Sequence, residues 1–484
     1  MFPQLPSDCL NEIFEYLEKD KVTLHSCLLV NRLWCETSVK ILWRNVWFDY
    51  HVYVLYRLKA LSQILGTLVS CLPIESKRLL HKNKIFIDTP TSKSPLFNYA
   101  SFVKVLSIYE IDQIVQHALE SQQFNTLRSL NYNKFLITQE ILKMFMSQMS
   151  PLKELIYHSE FEEIPCVHFA YFPGAINCLK FLQVFICSSD LYSEFYYQLS
   201  QVCQQIQSLT IRFKAIFSNG LKDLIYLQNN LEFLTLTHSD GWTNATDISP
   251  LFTKHSNNLT KLEIRGDFPL MFISIFTNLR ELILSPFGDR KDLQYVIIPQ
   301  LKNFRFSYGF PEPEYLSKFL ENNGGNLEEL YLNASEDSLN STIAKFCPKL
   351  KLLFTIFMED ELETLKGILN GCKLLESLKV WCGEKYLKEE QLLEIVSKYS
   401  PKNFYELKIF YICNVGKELY PKELESFFIN WMNRTPQQLL SFVIIKGYNS
   451  SNSLVDNRGN LEVVEKYRSL GIFRKFRAVT FEED

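Results

Sequence analysis

The 484-residue sequence has almost no excess charge: 51 lysines and arginines stand against 54 acidic residues, a net charge of −3. That balance gives no field for holding nucleic acid or an anionic membrane, and neither is expected as a partner. Long apolar runs are also missing. The longest uncharged apolar stretch of note, Ala60 to Leu72, is too short to cross a bilayer. The first twenty residues hold Asp8, Glu12, Glu15, Glu18 and Lys19, which is wrong for a secretory leader. The twelve cysteines are scattered singly, without a CxxC pair or a histidine at metal-ligand spacing. They read as reduced, mostly buried thiols of a cytosolic or nuclear protein. In such a compartment sequons such as Asn244-Ala245-Thr246 and Asn340-Ser341-Thr342 are chance matches.

The constellations that carry chemistry are absent too. The adjacent glycines Gly324 and Gly325 follow Asn322-Asn323 and read as a turn, not as a phosphate loop. There is no G-x-S-x-G elbow and no H-E-x-x-H helix. None of the eight histidines is paired at ligand spacing, and His25, near Cys27 and Cys35, reads as a packed helix residue. Acidic pairs such as Glu162-Glu163 and Glu328-Glu329 suggest solvated faces, because neighbours on a strand point to opposite sides. No catalytic residue, metal ligand or cofactor is assigned.

What the chain does contain is length, apolar content and repetition. It is 47% hydrophobic and 22% charged, the profile of a folded protein. It is also too long for one compact core, which stops growing near ~250–300 residues. Beyond residue 100 one pattern recurs: apolar, two variable, apolar, one variable, apolar. Val103-Leu106-Ile108 is a plausible first member. The series continues through Leu127-Leu130-Tyr132, Leu152-Leu155-Tyr157, Leu179-Leu182-Val184, Ile206-Leu209-Ile211 and Leu231-Leu234-Leu236. It runs on through Leu259, Leu279, Leu301, Leu327, Leu350, Leu375, Phe404 and Leu439, each opening the same spacing. On a helix the first and last positions would lie about 140° apart. In a strand the second and third point the same way. The spacing therefore predicts a short strand, and its return mostly every 20–29 residues, with one interval of 35 between Phe404 and Leu439, predicts leucine-rich repeats, one strand and one return helix per coil. Leu362, Leu365, Ile368 and Leu369 mark one such helix. No single coil can bury its own apolar face, so each depends on its neighbours.

The first forty-seven residues differ. Ser7-Asp8 supplies N-cap residue types, and Cys9, Leu10, Ile13, Phe14 and Leu17 follow on one helical stripe. A polar break, Glu18 to Lys21, precedes a second apolar run at Leu24, Cys27, Leu28, Val30, Leu33 and Trp34; a third segment ends at Trp43. Three such helices have little core, so the rest of the chain or another protein must cover them. The order Leu5-Pro6, Leu10, Ile13, Phe14, Leu17, then Leu28 to Trp34 on a second helix, then Leu42-Trp43-Arg44 resembles the F-box. Cys9 and Asn11 depart from that family's usual acidic or aliphatic residues. Cys347-Pro348-Lys349-Leu350 and Cys372 to Leu375 resemble the cysteine-containing leucine-rich repeat common in F-box proteins, where the cysteine caps the edge of the coil. The asparagine expected after the strand is mostly missing, Asn333 being one survivor.

The resemblance implies an α/β fold: a three-helix F-box at 1–48, linker helices capping the array at 49–95, a leucine-rich-repeat solenoid at 96–460, and a C-terminal cap and acidic tail at 461–484. It further implies a non-catalytic substrate receptor of a Skp–cullin–F-box ubiquitin ligase. A Skp-type adaptor, and through it a cullin–RING ligase, would be held by Leu5, Pro6, Leu10, Ile13, Phe14, Leu17, Leu28, Val30 and Trp34. An unknown protein target would meet the solvent face of the strands, where Arg305, Tyr331 and Trp381 are the side chains of the types interfaces enrich. A non-degradative F-box scaffold is the alternative reading. Polar loops are expected at Thr89–Pro95 and Gly447–Gly459.

Overall fold

The computed structural model describes residues 5–47, 54–89, 95–120, 127–158, 168–214, 217–238, 248–286, 288, 290–307, 312–333, 337–383, 385–411, 419–436, 438–447 and 453–480. These form two compact units, Met1–Thr243 and Asn244–Asp484.

The first unit opens with three short helices, α1 (Ser7–Glu15), α2 (Lys21–Cys27) and α3 (Arg32–Leu42). Asp20 caps α2 by accepting the Thr23 N–H at 3.0 Å, and Asn31 caps α3 by accepting the Trp34 N–H at 2.9 Å. The second cap corrects the sequence reading: the stretch from Leu28 to Trp34 is not one helix, because Asn31, in extended conformation, ends one and starts the next. The α1 stripe also divides. Leu10 and Phe14 turn inward onto Leu24, Cys27, Ile41 and Leu42, while Cys9, Ile13 and Tyr16 face solvent. Two further helices follow, α4 (Val54–Cys71) and α5 (Ile74–Lys82). Leu61, Leu65, Leu68 and Val69 bury the predicted apolar stripe of α4.

Strands β1 (Val105–Ser107), β2 (Glu154–Tyr157), β3 (Val184–Ser188), β4 (Ser208–Phe213) and β5 (Phe233–His238) complete the first unit, each parallel to the one before. The return from β1 is unusually long and holds two helices, α6 (Ile108–Glu120) and α7 (Leu127–Gln148). Here the sequence reading is corrected twice. Leu127-Leu130-Tyr132 belongs to α7, not to a strand. In the next coil Leu155 pairs with Phe185, so the apolar triplet is Leu182-Phe185-Cys187, three residues later than read. At Leu127 the helix spacing 0, 3 imitates the first half of the strand pattern; at Leu179, the last residue of helix Ala175–Leu179, the apolar helix end precedes the true first position Leu182 by three residues. α4 packs on α6, and a buried ion pair of Asp112 with Lys134, at 2.8 Å, joins α6 to α7.

The second unit contains β6 (Lys261–Arg265), β7 (Glu281–Ser285), β8 (Asn303–Phe306), β9 (Glu329–Leu332), β10 (Leu352–Phe354), β11 (Ser377–Cys382), β12 (Glu406–Tyr411), β13 (Leu440–Lys446) and β14 (Phe473–Thr480), again parallel and in chain order. Repeat length sets the return. The 20- and 22-residue repeats opened by Leu259 and Leu279 have room only for 3₁₀ turns, Leu270–Ile275 and Lys291–Tyr295. Longer ones hold α-helices such as Pro313–Asn323 and Leu362–Gly371. A Cβ at Gly371 would lie 2.4 Å from the carbonyl of Ala344 on the preceding return helix, Asp337–Phe346, so only glycine lets these two helices approach. β14 lies in the stretch read from sequence as a cap. Its Phe473, Phe476 and Ala478 repeat the 0, 3, 5 spacing, but the basic residues between them hid it. At β13 the register shifts beside Leu440, which is buried in place of the exposed Leu439. Of the loop expected at Gly447–Gly459, residues 448–452 lie outside the described residues. The remainder enters helices Ser453–Asp456 and Arg458–Ser469, the latter capped by Asn457. Residues 90–94 and the acidic tail 481–484 also lie outside the described residues.

One backbone device recurs coil after coil. Two successive N–H groups share a single carbonyl of the preceding coil: Lys153 and Glu154 reach Lys104, Gln183 and Val184 reach Lys153, Glu328 and Glu329 reach Lys302. The first coil makes the same forked bond to the end of the helical module. Lys104 and Val105 donate to the Arg44 carbonyl at 2.9 and 3.1 Å. Trp43 and Val46 stand three apart like the first apolar pair of a repeat. The buried Trp47 closes the joint by donating its indole N–H to the Val105 carbonyl at 2.6 Å.

A second rung runs through side chains at the start of several repeats. Cys372 donates its thiol to the Cys347 carbonyl at 3.5 Å, and Cys203 does the same to Leu182 at 3.6 Å. Burial pushes the Cys372 thiol up to about 12 and the Cys203 thiol up to about 11, so both keep the proton they donate. Where cysteine is absent an amide takes over. Gln228 bonds the Cys203 carbonyl, and Asn323 bonds the Val296 carbonyl and the Ile298 N–H. The capping role expected of the cysteines therefore extends to amides lying before the strand, not after it where Asn333 is.

Candidate partner-binding sites

The first site is the outer surface of the helical module. Its anchor is electrostatic: Arg44 grips Glu15 in a two-pronged bond at 2.5 Å and reaches Glu18 at 3.8 Å. The bond to Arg44 holds the Glu15 carboxyl below its ordinary range. Phe14 meets Trp34 edge to face, with centroids 5.1 Å apart. With that core closed, the residues named from sequence separate. Leu5, Pro6, Ile13 and Val30 are exposed, while Leu17, Leu28 and Trp34 are half-buried against the core. Leu10 and Phe14 are only 2% exposed. This corrects their reading as partner-facing residues, since the module's own core takes them.

The sequence reading missed the most open apolar side chains here: Tyr16 at 90% exposed, Leu29 at 89% and Val22 at 79%. Tyr16 follows Ile13 by three residues and shares its helix face, a signal that was available. Leu29 was inside the quoted Leu28–Trp34 stretch, but its exposure depends on the Asn31 break. A cavity of about 360 Å³ lies between this module and α4, lined in part by Val22, His25, Trp43 and Ile64.

The second site lies on the open face of the second unit, opposite the return helices. Along the strands burial alternates, as expected from a period of two, so alternate residues of neighbouring strands form rows. One row reads Arg305, Tyr331, Phe354, Lys379, Lys408, in consecutive register from β8 to β12. The Arg305 guanidinium sits 4.4 Å above the Tyr331 ring, and the Lys379 ammonium 5.4 Å above Phe354. Trp381 belongs to the next row, two residues along β11 and paired with Phe410. It bridges the rows, with ring centroids 6.5 Å from Phe354 and 5.8 Å from Phe410. The structure thus draws Arg305, Tyr331 and Trp381 into one patch through Phe354. That residue went unnoticed because β10 was read only for its inward Leu353. Across β12 and β13 the same face becomes apolar, and Phe410, Val443 and Ile445 are buried there.

The neighbourhood holds few acids. Glu329 and Glu406 occupy the preceding row, and Glu406 accepts the Ser377 and Ser441 hydroxyls at 2.7 and 2.9 Å. Among the described residues no group of three or more His, Cys, Asp or Glu could hold a metal ion, and no helix is long and apolar enough to cross a membrane. Asn340, one of the sequon asparagines, is fully buried and donates to the Ile356 carbonyl at 3.0 Å.

Residues 2–49 match the F-box-like family model. The N-terminal module is therefore an F-box-like domain, and the coils that follow it are a leucine-rich-repeat-type α/β array. Among solved structures, the leucine-rich repeat-containing protein LegL7 from Legionella pneumophila is similar at 14% identity, covering 61% of this chain and 96% of its own, with a TM-score of 0.33. The Rad7 and Elc1 complex from yeast is similar at 12% identity over 95% and 97%, with a TM-score of 0.36. No curated protein matches the chain.

Proposed function

We propose that this protein is the substrate-recognition subunit of a Skp–cullin–F-box ubiquitin ligase. Its F-box-like domain would hold a Skp-type adaptor, and its repeat array would present a target protein for ubiquitin-dependent degradation. The single observation that carries the reading is that an F-box-like domain, its core complete, leaves Ile13, Tyr16, Val22, Leu29 and Val30 in water. Large apolar side chains held in solvent on a small domain mark an interaction surface. An apolar helix-in-groove contact of about 1,600 Å² is the expected kind of interface. The receptor performs no bond-making of its own in this reading. It raises the local concentration of target lysines near the ligase, and proximity does the work. The ten free thiols among the described residues fit a reducing compartment, cytosol or nucleus.

The test is co-purification with a Skp-type adaptor. Ile13→Asp with Leu29→Asp abolishes the complex while the chain stays folded, and a complex that survives both changes overturns the reading. Target half-life, measured with and without the chain, separates a degradative receptor from a scaffold.

A further inference from the structure

We propose that the open face across β8–β12 binds a short acidic segment of its target, built as acid, apolar anchor, acid. The proposal rests on the receptor reading above and specifies the chemistry of what is received. Cations stand at both ends of the row, Arg305 on β8 and Lys379 with Lys408 on β11 and β12, and two aromatic rings, Tyr331 and Phe354, lie between them. No acid lies in this row from β8 to β12, and of its cations Lys408 is reached by Glu406 of the preceding row at 3.9 Å. Each ring is already polarised by a cation above it, Tyr331 by Arg305 and Phe354 by Lys379. A carboxylate arriving beside either cation meets a donor held in place, and an apolar side chain arriving between them meets aromatic surface widened by Trp381.

The spacing sets the length of the segment. Neighbouring strands lie about 4.8 Å apart, so Arg305 and Lys379, three strands apart, are separated by roughly 14 Å. An extended chain advances about 3.3 Å per residue, so four residues carry an acid from one end of the row to the other. The segment crosses the strands, which keep their own ladder bonds. Recognition therefore falls to side chains: an acid, a leucine or aromatic residue one to three positions later, and a second acid at the fourth. A nucleic acid fits less well, because Glu329 and Glu406 flank the cationic row and the chain as a whole is slightly negative.

The probe is a randomised eight-residue peptide display library panned against the full-length chain, followed by fluorescence anisotropy with the enriched peptides. Enrichment of acidic residues four apart around an apolar residue is the expected result. Affinity for those peptides falls at least tenfold in Arg305→Glu with Lys379→Glu and in Trp381→Ala, with circular dichroism unchanged. The charge-reversed variant should select basic peptides in place of acidic ones. A basic or charge-blind consensus, unchanged affinity in the variants, or equal affinity for a short single-stranded oligonucleotide overturns the inference. Adaptor co-purification with the same preparations distinguishes the two failures: if it persists, only the peptide chemistry is wrong, and if it is lost in the parent chain the receptor reading fails.

Discussion

The carbonyl of Arg44 accepts the N–H of Val105 at 3.1 Å, forming with Lys104 the same forked bond that the β2 and β3 coils make to the coil before them. The F-box-like domain is thus rooted in the array as its opening rung, not tethered beside it. Terminal coils need a cover because one of their faces lacks a neighbour. Trp47 supplies part of that cover, buried and bonded to the Val105 carbonyl. We expect Trp47→Ala to cost about 3–5 kcal/mol, the usual loss for a buried aromatic residue. Hydrogen exchange should show β1 and β2 amides losing protection ahead of β4 and β5. If β1 protection is unchanged, the domain merely abuts the array.

Phe14 and Ile13 are adjacent in sequence and opposite in role. Phe14 packs on Trp34 and Leu24 within the F-box-like core, so Phe14→Ala should destabilise the domain by about 3–5 kcal/mol. Ile13 is about half exposed, so Ile13→Asp should change stability by no more than about 0.5 kcal/mol while weakening adaptor capture. Denaturation midpoints and adaptor pull-down on the two variants check this. Loss of stability in Ile13→Asp would refute the assignment of faces.

The repeat and its strands were legible in the sequence because the 0, 3, 5 spacing is a local property of each strand. It misled where a helix supplied the same first step, at Leu127, where an apolar helix end stood three residues before the true start, at Leu179, and where basic residues diluted the signal, at Phe473. The open-face residues could be found by counting outward from each inward leucine, and Arg305, Tyr331 and Trp381 were found that way. Phe354 was passed over because the repeat opened by Leu350 was read only for its inward Leu353. On the F-box-like domain, membership of an apolar stripe was legible but its division was not. Leu10 and Ile13 look alike in sequence, and only the packing of α1 against α3 decides which one is buried.

Glu328 sets a pH test. Its carboxylate bridges Lys302 at 2.6 Å and Lys351 at 2.7 Å, and those two bonds lower its pKa to about 2. A carboxyl depressed on folding stabilises the native state above its unfolded pKa, and that contribution is lost as pH falls toward the folded value. The parent chain should therefore exceed Glu328→Gln in denaturation midpoint at neutral pH. The gap should shrink between the ordinary value of 4.5 and about 2. It should also be small and salt-sensitive, because all three side chains reach solvent. A gap independent of pH would mean that the bridge contributes nothing and the variant acts through packing.

Gln228 offers the sharpest test of the side-chain rung. Its fully buried amide accepts the Ile206 N–H at 3.0 Å and donates to the carbonyls of Cys203 and Leu224 at 3.0 and 2.9 Å. Gln228→Ala leaves the Ile206 donor and the Cys203 acceptor buried without that partner, at about 1–3 kcal/mol per group, so a total loss of roughly 2–6 kcal/mol is expected. Gln228→Cys restores the kind of bond that Cys203 already makes to Leu182 one coil earlier, and leaves only the Ile206 N–H unserved. Urea denaturation should therefore rank parent, cysteine and alanine in that order, with the cysteine variant recovering about 1 kcal/mol over alanine. Equal stability of the two variants would mean that the thiol bond between coils has no energetic weight, and that cysteine sits at these positions for its size alone.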